Sequence, residues 1–250
     1  MESMIEHSVT INGLHVDAVY SDQAVSGIFL PLIRKLADLQ REKNRRILVM
    51  LSAPPGAGKS TLLSFLDRLF TDTIHDLRMQ TIGMDGFHRR QEYLLSHFIE
   101  RDHRQISMVE IKGAPITFDL PRLTEAIERV RAGEVCGWPV YDRLLHNPIE
   151  DALHIDGDIV LLEGNYLLLD EDGWRDLRRY ADYTISITAD PDLLRTRLIE
   201  RRIGTGVAED KAIRFVDFSD MPNVHLCLKK TMPADLQLQL DAEGEYHLLS

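Results

Sequence analysis

Ile47-Leu48-Val49-Met50-Leu51-Ser52-Ala53-Pro54-Pro55-Gly56-Ala57-Gly58-Lys59-Ser60-Thr61 is the stretch that decides the fold. Its first five residues are an unbroken apolar run ahead of a turn rich in glycine and proline, which marks a strand buried on both faces. Residues 53–60 match the phosphate-binding P-loop pattern, with Ala53 in the first position, where glycine is usual. Gly56 and Gly58 permit backbone angles that turn successive N–H groups inward, making a concave anion site. The helix that begins near Lys59 adds the positive end of its dipole. In such a loop Lys59 reaches the β- and γ-phosphates of a nucleotide and the Ser60 hydroxyl ligates Mg2+. Gly56, Ala57, Gly58, Lys59, Ser60 and Thr61 are therefore the candidate ATP-binding residues.

Strands and helices alternate outward from this turn. Leu62, Leu63, Leu66, Leu69 and Phe70 give the next helix one apolar side, and strand-like runs recur at 80–84, 158–162 and 183–188. Helical stretches lie between them near 121–131, 174–180 and 191–202. This order predicts an α/β fold with a mostly parallel sheet flanked by helices. Upstream, residues 8–19 alternate around Asn12-Gly13, a strong hairpin signal, and Val25 to Leu39 carry apolar residues at helical spacing. The tail returns to strand character at 224–228, 236–240 and 246–249. The expected organisation is an N-terminal hairpin and helix over 1–44, a core over 45–230 with a lid near 197–210, and a C-terminal hairpin over 231–250.

Composition bounds the function. The chain has 250 residues, 44% hydrophobic and 28% charged, close to the average for soluble globular proteins. Its two cysteines form no paired motif, and the first six residues lack the basic-then-apolar plan of a signal peptide. No apolar run approaches the ~18 residues a membrane span needs. These features predict a cytoplasmic protein without a membrane segment. Lys and Arg total 29 against 40 Asp and Glu, a formal net charge of −11 that disfavours nucleic acid as a partner. Small phosphorylated ligands remain open, because local amides and a few cations hold them.

Ligands of open parallel sheets bind beyond the carboxyl ends of the strands, where Asp85 and Glu163 fall. Asp85 there can accept the proton of an attacking hydroxyl; the alternative is a turn-forming Asp-Gly pair. Glu163 can hold Mg2+ through water or bind a substrate hydroxyl, or be a surface acid. Residues 139–146 combine Tyr141, Asp142, Arg143 and His146 with no regular period, which suits an acceptor-binding loop and equally an irregular surface loop. His88 borders the same site or an exposed basic turn. Arg195, Arg197, Arg201 and Arg202 share one helix ahead of Gly204-Thr205-Gly206. Only 197 and 201, or 195 and 202, share a face, and Arg197 and Arg201 are the first candidates to close on a transferring phosphoryl group.

Together these motifs resemble the phosphoribulokinase/uridine kinase/pantothenate kinase group of P-loop kinases. Ala53–Ser60 resembles its P-loop, Met84-Asp85-Gly86-Phe87-His88 its segment with the catalytic base, and Glu163-Gly164-Asn165 its strand-end acid. Pro139-Val140-Tyr141-Asp142 followed by His146 resembles the uridine kinase acceptor motif. Glu163–Leu169 and Ser219-Asp220-Met221-Pro222-Asn223 resemble bacterial nucleoside/nucleotide kinase-like proteins, some labelled fructose-transport-system kinases. That resemblance implies an adenine-side loop at 219–225 with Asn223 as a contact. Gly86-Phe87-His88 departs from the Ser-Phe-Tyr usual in uridine kinases and sits nearer the pantothenate kinase form. The resemblance implies an ATP- and Mg2+-dependent kinase acting on a hydroxyl of a small sugar, nucleoside or pantothenate-like molecule. In it Lys59, Asp85, Arg197 and Arg201 are catalytic, Ser60 and Glu163 hold metal, and Asp85, His88, Tyr141, His146 and Glu163 bind the acceptor. The rival reading is an ATP-dependent regulatory switch with no small-molecule acceptor. The helix at 23–40 is a candidate homodimer surface.

Overall fold

A computed structural model of the chain describes residues 4–11, 14–101 and 103–249. Its centre is a six-stranded sheet in the order β12-β11-β10-β3-β9-β4. The strands are β3 (Ile47–Ser52), β4 (Met79–Gly83), β9 (Ile159–Gly164), β10 (Tyr183–Ala189), β11 (Leu236–Leu240) and β12 (Tyr246–Leu248). All neighbours are parallel except the edge pair β11–β12. The expected α/β class, a mostly parallel sheet flanked by helices, is the observed one. Among the described residues no helix is long and apolar enough to cross a membrane.

The apolar run 47–51 explains why the sheet is covered twice. Ile47, Val49 and Leu51 point into one core with Ile159, Leu161 and Ile185. Leu48 and Met50 point into a second core with Val160 and Leu162. Successive side chains of a strand face opposite sides, so an unbroken apolar run needs a layer on each. Helices Leu30–Lys43 and Lys59–Thr73 cover the first face, and helix Leu120–Arg131 with Trp138 covers the second.

The N-terminal hairpin pairs β1 (Met4–Ile11) with β2 (Leu14–Ser21), with Val9 opposite Val16. Its predicted turn, Asn12-Gly13, lies outside the described residues. The hairpin packs inward: Tyr20 stacks on Phe65 at 4.1 Å between centroids, and His7 Nε2 meets Ser64 Oγ at 3.1 Å. The following helical stretch runs from Asp22 to Lys43 with a π-helical turn at Val25–Phe29.

Three expectations need correction. The stretch 224–228, read as a strand, belongs to the helix Met221–Lys230. Its apolar residues alternate in sequence, but the chain buries Val224 and Cys227, one helical turn apart, and Pro222 sits in the first turn, where its missing N–H costs nothing. Residues 219–225 are consequently helical, continuous with a π-helical turn at Val216–Asp220, and form no loop. Residues 139–142 end strand β7 (Cys136–Asp142), which turns directly into β8 (Asn147–Ile155). The irregular stretch is thus a strand end and hairpin tip, whose Asp142 accepts the N–H groups of Leu144 and Leu145. The segment 174–180 is helical as expected, in 3-10 form over Arg175–Tyr180.

Candidate active site

The carboxyl ends of β3, β9 and β4 lie side by side, with Ser52 opposite Gly164 and Gly83 opposite Glu163. This register brings the P-loop, Glu163 and the turn carrying Asp85 to one edge of the sheet. Gly56 (φ 86°) and Gly58 (φ 76°) adopt left-handed backbone, and a Cβ at Gly56 would stand 3.1 Å from the Leu194 carbonyl. No side chain caps Gly58 at the start of helix Lys59–Thr73, as expected where N–H groups await an anion.

Lys59 Nζ donates to Asn165 Oδ1 at 2.6 Å and to the Pro54 carbonyl at 3.1 Å. Burial lowers its pKa, opposed by the charges of Glu163 and Asp85. The Ser60 hydroxyl donates to Glu163 Oε1 at 2.8 Å. Burial also raises the pKa of Glu163, opposed by the nearby Lys59. An enclosed ammonium, a hydroxyl and a carboxylate oxygen thus face one another.

Asp85 sits in a 3-10 turn, Met84–Phe87, that follows β4 and lies against β7. Trp138 Nε1 donates to the Gly83 carbonyl at 2.8 Å, and Phe87 meets the Trp138 ring edge-on. These contacts fix the turn from below while the Asp85 carboxylate stays half-exposed, 3.7 Å from Arg143 Nη2. His88 is buried, with Nδ1 2.8 Å from the Asp85 carbonyl oxygen and its ring beside Phe118 and Tyr141. Burial lowers the His88 pKa, with Asp85 opposing and the cations Lys112 and Arg143 assisting, so the ring is a neutral wall. Tyr141 is pushed up to about 12 by burial. His146, predicted to bind the acceptor, is exposed at the hairpin tip with φ 53°, and its carbonyl accepts from Lys112.

The helix Pro191–Gly204 does not keep Arg197 and Arg201 together, although the spacing predicts a shared face: the two have different neighbours. Arg195 pairs with Asp217 at 2.7 Å, and Arg202 pairs with Asp220 at 3.0 Å and lies over the Phe215 ring. Arg201 is exposed, yet desolvation among its neighbours lowers its pKa, with Asp220 and Asp85 among the charges around it. Arg197 points elsewhere: its Nη2 stands 3.6 Å from where a Cβ on Gly244 would lie, in the turn between β11 and β12. The same hairpin brings the Tyr246 hydroxyl beside Gly58. Asn223, expected on the adenine side, is buried; its amide donates to the Ser219 carbonyl and lies beside Gly113. Gly113 in turn accepts the Tyr166 hydroxyl at 2.6 Å, with the Asp85 charge within reach of that tyrosine.

Sequence reasoning missed Lys112, Tyr166 and Asp220. Tyr166 lay within the quoted stretch 163–169, and Asp220 within the quoted 219–223, whereas Lys112 carries no local pattern.

The fold and this edge of the sheet define a P-loop phosphoryl-transfer protein. The profile of the Phosphoribulokinase / Uridine kinase family matches residues 48–240, and the chain belongs to that family. It is 40% identical over 243 residues to the uncharacterized protein YggC of Escherichia coli (strain K12), covering 97% of this chain and 98% of that one. It is 26% identical over 199 residues to the pantothenate kinase of Levilactobacillus brevis, covering 72% and 62%. A crystal structure named "putative fructose transport system kinase", from Silicibacter sp. TM1040, superimposes with a TM-score of 0.68 at 30% identity, covering 81% of this chain and 98% of that one.

The family uses ATP with Mg2+, and the residues present fit both. The left-handed glycines and uncapped helix start suit phosphate oxygens, and the Ser60–Glu163 pair offers hard oxygen ligands of the kind Mg2+ prefers.

Proposed function

We propose that this protein transfers the γ-phosphoryl group of ATP to a hydroxyl of a small polar metabolite in the cytoplasm. The observation that carries the reading is the convergence of Lys59, Ser60, Glu163 and Asp85 at the ends of three adjacent parallel strands. The groups around Asp85, Tyr141 and Arg143 beside the buried His88, are what an acceptor pocket needs and a nucleotide switch does not.

In this arrangement Gly56–Thr61 hold the phosphates, and Ser60 with Glu163 would hold Mg2+, which supplies charge neutralisation on the phosphates. The acceptor oxygen bonds to the γ-phosphorus as the bond to ADP breaks, and Asp85 takes the hydroxyl proton. Lys59 and Arg201 stabilise charge on the transferring group. Arg197, whose guanidinium stands beside the β11–β12 turn, takes no part in that step. Positioning and fixed charge supply most of the rate gain.

ATP consumption with Mg2+ against pooled sugars, nucleosides, sugar acids and sugar phosphates tests this, wild type beside Asp85→Asn and Lys59→Ala. Asp85→Asn should lower kcat by at least ~100-fold with ATP binding retained. Lys59→Ala should abolish transfer. Consumption that ignores every pool and both substitutions would refute the reading.

A further inference from the structure

Lys112 follows the 3-10 turn Met108–Ile111 and is only partly exposed. Its ammonium donates to Gln91 Oε1 at 2.8 Å and to the His146 carbonyl at 3.0 Å, and it lies 4.7 Å from the centre of the Tyr141 ring. Three separate elements thus hold it: the helix Gln91–Ser96, the tip of the β7–β8 hairpin and the end of β7. Every one of these partners is neutral. Among the described residues no carboxylate lies within ion-pair distance of it, and burial pushes its pKa down to about 8 with no acid offsetting the shift. An ammonium has three N–H donors, so one remains. Partly buried cations are ordinarily paired, because taking a charge from water without a counter-ion is costly.

The placement gives this cost a purpose. Lys112 borders Tyr141, Tyr141 borders His88 at 5.1 Å, and His88 Nδ1 meets the Asp85 carbonyl oxygen. The next residue, Gly113, is tied to Tyr166, which follows the Glu163 strand. Lys112 and Asp85 therefore flank the His88–Tyr141 pair, linked through it by these contacts.

We propose that Lys112 binds an anionic group of the phosphoryl acceptor, a carboxylate or a phosphate ester, while Asp85 takes the acceptor hydroxyl. The substrate class is then a sugar acid, hydroxy acid or sugar phosphate, and neutral polyols and nucleosides are excluded. This rests on the kinase reading above and adds to it the charge of the acceptor.

The test compares an aldonate, a pentose phosphate, a neutral pentitol and a nucleoside as acceptors, with wild type, Lys112→Met and Lys112→Arg. Turnover should be confined to the anionic members, and which of the two reacts separates carboxylate from phosphate. Lys112→Met should raise the acceptor KM roughly 10- to 100-fold, the loss of one charged hydrogen bond, with the KM for ATP unchanged. Lys112→Arg should recover most of that loss. Turnover of a neutral acceptor, or a Met variant with unchanged acceptor KM, would overturn the proposal. So would a loss confined to kcat and Tm, which is what a merely structural tie would show. Calorimetric binding of the same four compounds with a non-hydrolysable ATP analogue keeps the two readings apart. Anion binding that is lost in Lys112→Met, without turnover of any compound, sinks the kinase and leaves the anion site. Absence of such binding sinks the site.

Discussion

Gly86 follows the candidate base, and replacing it with alanine tests whether the Asp85 turn is positioned by backbone contact. A Cβ at Gly86 would stand 2.0 Å from the Pro139 carbonyl oxygen, 2.4 Å from its carbon and 3.0 Å from the Val140 nitrogen. These are backbone atoms of a strand paired with β8, so no side chain can rotate out of the way. Ordinary contact begins at 3.4 Å, so turn and strand must part by about 1.4 Å. Overpacking of that kind costs ~1–3 kcal/mol, and the rigidity of both sides places this case at the upper end. For a chain of this length ~3 kcal/mol lowers Tm by about 6–12 °C. The displacement also moves Asp85, and a misplacement of ~1 Å costs about 100-fold in rate. Gly27→Ala is the matched control: nothing lies within 4 Å of its Cβ position, and the helical site should gain ~0.5–1 kcal/mol. Thermal melts and kcat at a temperature where both variants are folded decide the matter. A Gly86→Ala protein that melts with wild type and keeps its kcat would refute the claim that β7 sets the position of Asp85.

Two further outcomes follow from charges the structure resolves. Arg201→Ala should lower kcat by ~100-fold or more, while Arg195→Ala, which loses only an exposed pair with Asp217, should leave kcat unchanged and stability within ~0.5 kcal/mol; equal losses in steady-state assays would show that the lid helix is not rotated as described. For Asp182, burial raises the pKa, but hydrogen bonds from Arg45 and the Leu48 N–H outweigh it and hold the carboxyl below its ordinary value. A depressed carboxyl contributes stability above its unfolded pKa and loses it as pH falls through the folded one. Asp182→Asn should therefore cost ~1–3 kcal/mol at pH 7 and flatten the acid-side fall in stability below about pH 4, read from urea melts against pH.

What the sequence disclosed was whatever local chemistry alone determines. The run 47–51 could only be a doubly covered strand, and Gly56 to Ser60 could only be a loop with inward N–H groups, because both follow from neighbours in sequence. Asp85 and Glu163 were legible because each directly follows an apolar strand. The helix 221–230 was not, since alternation and helical burial share Val224, and only the sheet's need for cover selects the second. Tyr141 and Asp142 looked irregular because β7 is shifted in register between Trp138 and Val140, a feature set by its partner strand. Lys112 had no signal at all: its importance arises from Gln91, Tyr141 and the His146 carbonyl, up to 34 positions away.

The charges around Asp85 give the site a character opposite to that of the chain. Among the described residues Lys59, Lys112, Arg143, Arg201 and Arg202 stand near Asp85, Asp142, Glu163 and Asp220, five cations with four carboxylates in a protein whose net charge is −11. Of these cations Arg202 is tied to Asp220, Arg143 leans on Asp85, and Lys59 faces Glu163. Among the described residues Arg201 and Lys112 have no carboxylate within ion-pair distance. In the proposed mechanism a triphosphate at the P-loop accounts for Arg201. It does not account for Lys112, which lies beyond the aromatic wall of His88 and Tyr141. Field lines from an acidic surface turn away extended polyanions, while a walled cleft with a local cationic excess still admits a small one. On the reading proposed above, one charge distribution disfavours nucleic acid and favours a small anionic acceptor.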